Sequence, residues 1–431
     1  MMINLCICAN LMLEDHSGGM NRILNLAKNV STHKVNVYLV GRSQIKSPFS
    51  ILIDNGKYTQ INNGIAKEYL YPIGIRFFFP GFIKFTQEFL RKILRILTFT
   101  FSPDLFGLSD VIDPCLFVKL FFVCKKERIN IIQFEFPAPS ISSFLVKKLL
   151  RIPLVYDAHN IEIDRVKSMD NVSIIYFTLA KVIETFSCKI ADLVFVVSER
   201  DKERMVSSGV LEHKVKTIPN SVEISKFSRG LTNKIKVQYK LEKKIVLLFH
   251  GPLDYPPNKE AANILTNKLL PNILKRHSNV HLLLVGRNPP RISHPNITTT
   301  GFVENLPDYV AAADIALVPL LKGGGTRIKI LEYMAAGKAV VSTVKGAEGL
   351  DLQNGKDILL TEYPDSKFID LVTQLIEDNS LRENIGLNAQ RKAVSLYSWK
   401  ETGEKAVQEY NKIIPNSKRI QRTSTKIKEA Y

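Results

Sequence analysis

Short, nearly continuous apolar runs alternate along this chain with segments long enough to form helices, and that alternation leaves few folds open. In the first half the runs are "KVNVYLVG" (34–41), "NIIQFEF" (130–136), "PLVYDAH" (153–159) and "ADLVFVVS" (191–198). In the second half they are "KIVLLFHG" (244–251), "VHLLLVG" (280–286), "ADIALVPL" (313–320), "KAVVST" (338–343) and "DILLT" (357–361). Strands that are apolar on both faces and joined by crossover helices imply parallel sheets covered on both sides. Two such series predict two doubly wound α/β domains, separated near the polar stretch 222–242. A length of 431 residues agrees with two domains, since one core rarely serves more than about 250–300 residues.

The formal net charge of +18 favours anionic partners, among them nucleotides, nucleic acid and acidic membrane faces. The basic residues are spread out, without a nucleic-acid recognition module or an RNP-like aromatic pattern, which argues against nucleic acid. Cys6, Cys8, Cys115, Cys124 and Cys188 form no C-x-x-C pair and read as small core residues in a reducing compartment. "MMINLCICANLML" has no basic leader and runs into Glu14 and Asp15, so it is expected to be a buried first strand. No apolar stretch reaches the ~18 residues of a spanning helix, and a cytoplasmic location, at the inner face of the membrane, is expected. Residues 75–101 mix Phe, Ile and Leu with Arg76, Lys84, Arg91, Lys92 and Arg95. They read either as an interfacial helix on anionic lipid or as an amphipathic helix packed on its own domain.

Ligands of open parallel sheets sit outside the carboxyl ends of the strands, so the loops there carry the functional reading. Gly18 and Gly19 follow the first strand and are expected to precede a helix whose free N–H groups meet a ligand. They do not form G-x-G-x-x-G, which disfavours a nicotinamide dehydrogenase. In "LLKGGGTRIKILEYMAAGKAVVST" (320–343), Gly323, Gly324 and Gly325 open a helix with Thr326 as its expected N-cap. Arg327 and Lys329 fall in the first turn, where positive charge opposes the helix dipole. A diphosphate held by loop amides, the helix end and Arg327 would reconcile those features. Glu332 lies deep enough to accept hydrogen bonds from a ribose diol, and Gly337 is expected to end the helix.

Together with "YDAHNIE" (156–162), "VVSERDKERM" (196–205), "TIPNSVEISKF" (217–227), "FHGPLDYPPNKEAANIL" (249–265), "LLLVGRNP" (282–289) and "TGFVENLPDYVAAADIALVPL" (300–320), these segments resemble a retaining glycosyltransferase of family 4. The resemblance implies the GT-B fold, two Rossmann-like domains facing a central cleft. It implies an acceptor-binding domain at 1–225 and a nucleotide-sugar-binding domain at 226–396. A helix at 397–415 would cross back to the first domain, ahead of a basic tail at 416–431.

The donor would be a nucleotide-diphosphate sugar bound by Gly18, Gly19, Gly251, Arg287, Phe302, Val303, Gly324, Gly325, Thr326, Arg327, Lys329 and Glu332. The acceptor, a glycan or lipid-linked molecule, would meet Glu135 and His159. His159, Glu332 and Arg327 are the expected catalytic groups, with Glu332 on the ribose. No metal and no separate cofactor are implied, and no D-x-D motif is present; "EID" (162–164) reads as helix surface. Two departures from the family pattern stand out: Gly324 occupies the place of the first acid of a paired-glutamate motif, and Pro252 and Asn258 replace an Arg and a Lys. Arg327 and Lys329 are expected to restore that charge. The readings set against transfer in surface-polysaccharide synthesis are a catalytically impaired scaffold and a nucleotide-sugar 2-epimerase.

Overall fold

The computed structural model describes residues 2–12, 18–43, 57–61, 64–72, 111, 113–167, 172, 174–230 and 232–414. The basic aromatic segment 75–101 and the tail 416–431 lie outside the described residues. Two compact units divide the chain: Met1–Ile218 with Gly403–Tyr431, and Pro219–Thr402.

In the first unit, strands β1 (Ile3–Met12), β2 (Val35–Ser43), β3 (Lys57–Ile61), β4 (Gly64–Pro72), β5 (Ile131–Glu135), β6 (Leu154–Ala158), β7 (Leu193–Val196) and β8 (Val215–Thr217) form one sheet. Its order is β3-β4-β2-β1-β5-β6-β7-β8, and pairing is parallel except at the edge, where β3 runs antiparallel to β4. Every residue of β5, β6 and β7 is buried, as helices on both faces require. The connecting helices are α1 (Gly18–Ser31), α2 (Pro114–Lys126), α3 (Ser140–Leu150), α4 (Glu162–Lys167), α5 (Ile174–Ile190) and α6 (Glu199–Ser207). Local chemistry sets where α2 begins: the Asp113 carboxylate accepts hydrogen bonds from the Cys115 and Leu116 N–H groups, and Pro114 occupies the first position, where no N–H is needed. All five cysteines are buried free thiols.

In the second unit, β9 (Ile245–His250), β10 (Val280–Val285), β11 (Ile297–Thr299), β12 (Ile315–Val318), β13 (Ala339–Thr343) and β14 (Leu359–Thr361) form a wholly parallel sheet. Its order is β11-β10-β9-β12-β13-β14. Its helices are α7 (Ile224–Phe227), α8 (Thr232–Gln238), α9 (Pro256–Ile264), α10 (Leu270–Arg276), α11 (Leu306–Ala312), α12 (Ile328–Ala335), α13 (Ser366–Glu377) and α14 (Asn379–Leu396). Between α9 and α10 the chain passes through a π-helical turn at Leu265–Leu269. Helix α15 (Trp399–Ile413) follows, and its residues from Gly403 onward belong to the first unit.

Each sheet has one place where the order reverses: between β1 and β5 in the first, between β9 and β12 in the second. Loops leaving the carboxyl ends of those neighbouring strands diverge and open a crevice, the usual ligand position in such sheets. Gly18, Gly19 and Glu135 follow or end the strands at the first point and Gly251 and residues 323–332 those at the second, whereas Arg287 follows β10 and Phe302 and Val303 follow β11.

A buried ion pair ties α1 to the first switch point. Arg22 donates from Nε to Asp157 Oδ2 at 3.1 Å and from a terminal nitrogen to Oδ1 at 2.9 Å, and it also reaches the Ile218 carbonyl at 2.9 Å. Both side chains are almost fully excluded from solvent. Removing one partner of such a pair leaves an uncompensated buried charge. Arg22→Met is expected to cost about 3–5 kcal/mol of stability, read as a lowered denaturant midpoint for the first unit; an unchanged midpoint would contradict this assignment.

Candidate functional site

At the switch point of the second unit, the end of β9 and the loop from β12 to α12 supply the chemistry. Gly251 and Gly286 let two strand ends touch backbone to backbone. Gly286 has φ +147°, and a Cβ there would lie 1.9 Å from the Gly251 carbonyl oxygen. Gly323 (φ +110°) and Gly325 (φ +70°) adopt left-handed geometry, whereas Gly324 does not and has open space where a Cβ would stand. Two of the three loop glycines are thus conformationally required. The third, where the resemblance places an acid, is not.

Helix α12 begins one residue later than expected. Arg327, not Thr326, is the N-cap, and the Thr326 hydroxyl instead accepts a hydrogen bond from Asn220 Nδ2 at 2.7 Å. The Arg327 guanidinium folds over its own loop, donating to the Gly324 carbonyl and to the Gly325 carbonyl, the latter at 2.8 Å. Its Nε has no hydrogen-bond partner among the described residues.

Lys329 reaches away from the loop, toward β9. Its ammonium donates to Asn258 Oδ1 at 2.8 Å and stands 4.0 Å above the Phe249 ring. A Cβ on Gly251 would come within 3.2 Å of Nζ. The residue is half-buried as a whole, but its charged end is closed in by these neighbours. Loss of water around the ammonium, with Arg327 adding repulsion, lowers the Lys329 pKa to about 7; Glu332 acts in the opposite direction. Loss of water also lowers Arg327. Among the described residues no carboxylate lies within ion-pair distance of either cation.

Glu332 Oε2 lies 3.2 Å from His250 Nε2, at ion-pair distance but out of hydrogen-bond alignment. The His250 ring meets Tyr333 edge-on at 5.0 Å, and the Tyr333 hydroxyl accepts a hydrogen bond from the His250 backbone N–H. Gly337 (φ +69°) ends α12 as C′, as expected, its N–H bonding the Met334 carbonyl. Arg287 is exposed beside Asp254 at 3.6 Å. Phe302 is 76 % exposed, while Val303 is half-buried against the core of the unit.

At the switch point of the first unit, Glu135 is the last residue of β5 and fully buried. It accepts from Gln133 Nε2 at 2.7 Å, and its other oxygen is 2.6 Å from His159 Nε2. Tyr410 of α15 donates its hydroxyl to Gln133 Oε1, so a buried chain runs Tyr410, Gln133, Glu135, His159. Burial, and the charge of nearby Asp157, raise the Glu135 carboxyl above its ordinary value against the His159 and Gln133 hydrogen bonds. Phe136, in left-handed backbone (φ +61°), lays its ring 4.1 Å from that of His159.

Gly18 and Gly19 open α1 itself rather than preceding it. Close packing explains the glycine at 19: a Cβ there would meet the Phe136 ring at 2.8 Å and approach His159 Nδ1 at 3.5 Å. Potential ligand atoms of Glu135, Asp157 and His159 lie within 4.8 Å of one another. Asp157, however, is held from both oxygens by Arg22, which supplies the positive charge a metal would bring. "EID" is helix surface: Glu162 binds Arg165 at 2.7 Å and Asp164 binds Arg204 at 3.1 Å.

The structure therefore assembles Gly251, Gly324, Gly325, Arg327, Lys329 and Glu332 in one unit and Gly19, Glu135 and His159 in the other. Arg22, Gln133, Asp157, Phe249, His250 and Tyr410 were not singled out from sequence. Gln133 and Asp157 had a signal, as polar residues inside the apolar runs "NIIQFEF" and "PLVYDAH".

Both halves of the chain are similar to known proteins. Residues 17–226 match the family described as Glycosyltransferase Family 4, and residues 244–378 match the one described as Glycosyl transferases group 1. An uncharacterized glycosyltransferase of Methanocaldococcus jannaschii is 28% identical over 359 residues, covering 79% of this chain and 89% of its own. The crystal structure of Anabaena HepE in complex with UDP aligns at 16% identity and a TM-score of 0.66, covering 96% of this chain and 100% of that one. Sucrose-phosphate synthase from Thermosynechococcus elongatus aligns at 14% identity and a TM-score of 0.69, covering 95% and 99%. With family matches over both halves and the fold shared across nearly the whole chain, this protein belongs to the family 4, group 1 glycosyltransferases and has their GT-B fold.

Proposed function

We propose that the protein is a retaining glycosyltransferase that moves a sugar from a nucleotide-diphosphate donor to a glycan or lipid-linked acceptor in surface-polysaccharide synthesis. One observation carries this reading: two cations, Arg327 and Lys329, stand at the start of α12 with no carboxylate within ion-pair distance among the described residues. Like charges beside a helix amino terminus cost free energy unless an anion joins them. A diphosphate supplies that anion, and the Anabaena neighbour was solved with UDP. The Lys329 ammonium, standing at the end of β9, supports the expectation that it replaces a cation absent from Pro252 and Asn258.

In this reading the acceptor oxygen forms its bond to the anomeric carbon on the face from which the diphosphate departs. The bond from that carbon to the phosphate oxygen breaks and its electron pair leaves with the diphosphate, which takes the acceptor's proton. Lys329, Arg327 and the amides of α12 stabilise the developing negative charge, so no metal and no separate cofactor are required. Glu332 holds the ribose hydroxyls, and His159, fixed by Glu135, contacts the reacting sugar or the acceptor. A peripheral contact with an anionic membrane fits a lipid-linked acceptor.

Calorimetric titration with UDP and GDP tests the donor seat. Lys329→Ala is expected to weaken the better of the two by about 10- to 100-fold, the worth of a charge-assisted hydrogen bond. Since Lys329 has a pKa of about 7 when free, a bound diphosphate will raise it, and binding takes up a proton. Affinity should therefore fall as pH rises above 7, and this slope should vanish in Lys329→Ala. Equal affinity in both proteins across that range would sink the proposal.

The first-unit network has its own test. Tyr410→Phe removes the donor to Gln133 and frees it to release Glu135. Turnover is expected to drop about fivefold, one hydrogen bond's worth, with nucleoside-diphosphate affinity unchanged. A Tyr410→Phe enzyme with wild-type turnover would remove Tyr410 from the set that positions His159.

A further inference from the structure

The outer helices of the first unit form a surface that the donor chemistry does not use. Helix α3 packs between α2 and α5 on one face of the sheet, and Phe144 of α3 meets Phe186 of α5 edge-on at 5.6 Å. The sequences of these helices, PCLFVKLFFVCKK, SISSFLVKKLL and IIYFTLAKVIETFSCKI, contain one acid, Glu184. That acid is buried, its oxygens accepting the Glu162 and Ile163 N–H groups at 2.8 and 3.2 Å. Lys125, Lys126, Lys148, Arg151, Lys181 and Lys189 are exposed, and no exposed carboxylate stands on the three helices. The acids that follow α2 and α5 in sequence are engaged: Glu127 by Lys67 at 2.9 Å and Asp192 by Lys147 at 2.7 Å.

Aliphatic side chains lie exposed on the same helices: Val118 at 40 %, Leu145 at 43 %, Leu149 at 61 % and Val182 at 58 %. The ammonium groups of Lys125, Lys126 and Lys148 stand over the Phe121, Phe122 and Phe144 rings at 5.3–5.4 Å, within cation–π reach, and all three residues are exposed. Helix dipoles account for lysines in last turns. They do not account for Lys181 in mid-helix, for the missing acids or for the exposed aliphatics, since an ordinary solvated surface mixes both signs. Nucleic acid would match the charge alone. A bilayer with anionic headgroups matches both charge and aliphatic groups.

We propose that the α2–α3–α5 face docks the protein on an anionic lipid surface, with its cations at headgroup phosphates and Val118, Leu145, Leu149 and Val182 in the interfacial layer. This rests on the membrane-proximal part of the reading above and is independent of the donor seat.

Co-sedimentation of the full chain with phosphatidylcholine vesicles, with and without phosphatidylglycerol, tests it. Binding is expected only with phosphatidylglycerol and should weaken with salt. At about 1 kcal/mol per basic residue, K125E/K126E/K148E should weaken it by roughly 100-fold or more. L145S/L149S should weaken it at high salt, and the control K243E/K268E/K356E should not. Circular dichroism and the thermal unfolding midpoint serve as the fold check in every variant. If K125E/K126E/K148E binds vesicles like wild type, this face is overturned while the membrane-proximal reading stands. If wild type ignores anionic vesicles, both fall and the donor assignment is untouched. Tighter binding to single-stranded RNA than to vesicles at matched salt, lost in K125E/K126E/K148E, would overturn the lipid assignment.

Discussion

Two positive side chains at the mouth of α12, with no carboxylate at ion-pair distance among the described residues, are the constraint around which the second unit is arranged. Gly323 and Gly325 turn the chain so that the Arg327 guanidinium can fold over the loop carbonyls. Lys329 crosses to β9, where Asn258 and the Phe249 face hold the ammonium but cannot neutralise it. A hydrogen bond and a cation–π contact offset only part of the cost of lost hydration, which, with repulsion from Arg327, lowers the Lys329 pKa to about 7. The contact of Gly251 with Gly286 keeps side chains out of this corner, so the strand ends leave room for a ligand at the switch point.

The first unit handles charge in the opposite way. Arg22 and Asp157 neutralise each other in the core, and Glu135 is satisfied on both oxygens by Gln133 and His159. Each member of that cluster is fixed by a neighbour, with Tyr410 at its far end. A closed network of buried polar groups defines one geometry, and it holds the His159 ring in a set orientation. The cationic corner of the second unit is suited to receiving a ligand that the network of the first unit does not need.

Each of the apolar runs read from the sequence is a strand in the structure, because a strand covered on both faces must be apolar throughout. The strands that escaped reading explain themselves. β3 and β4 carry polar residues at the sheet margin, and β8 and β11 are three-residue strands at sheet edges. The glycine loop and Glu332 were legible because glycine and charge at a helix start conflict with ordinary propensity. Placing Arg327 rather than Thr326 at the N-cap required the positive φ of Gly325, which composition does not reveal. Tyr410 was beyond reach for another reason: its partner Gln133 is 277 positions away in sequence, and nothing local marks the contact.

The most direct test of the central claim is a crystal structure of the complex with the nucleoside diphosphate that binds more tightly. The account expects diphosphate oxygens within hydrogen-bond reach of Lys329 Nζ and the first-turn amides of α12, with the ribose on Glu332. A diphosphate bound elsewhere, with Lys329 still held only by Asn258 and Phe249, would contradict it.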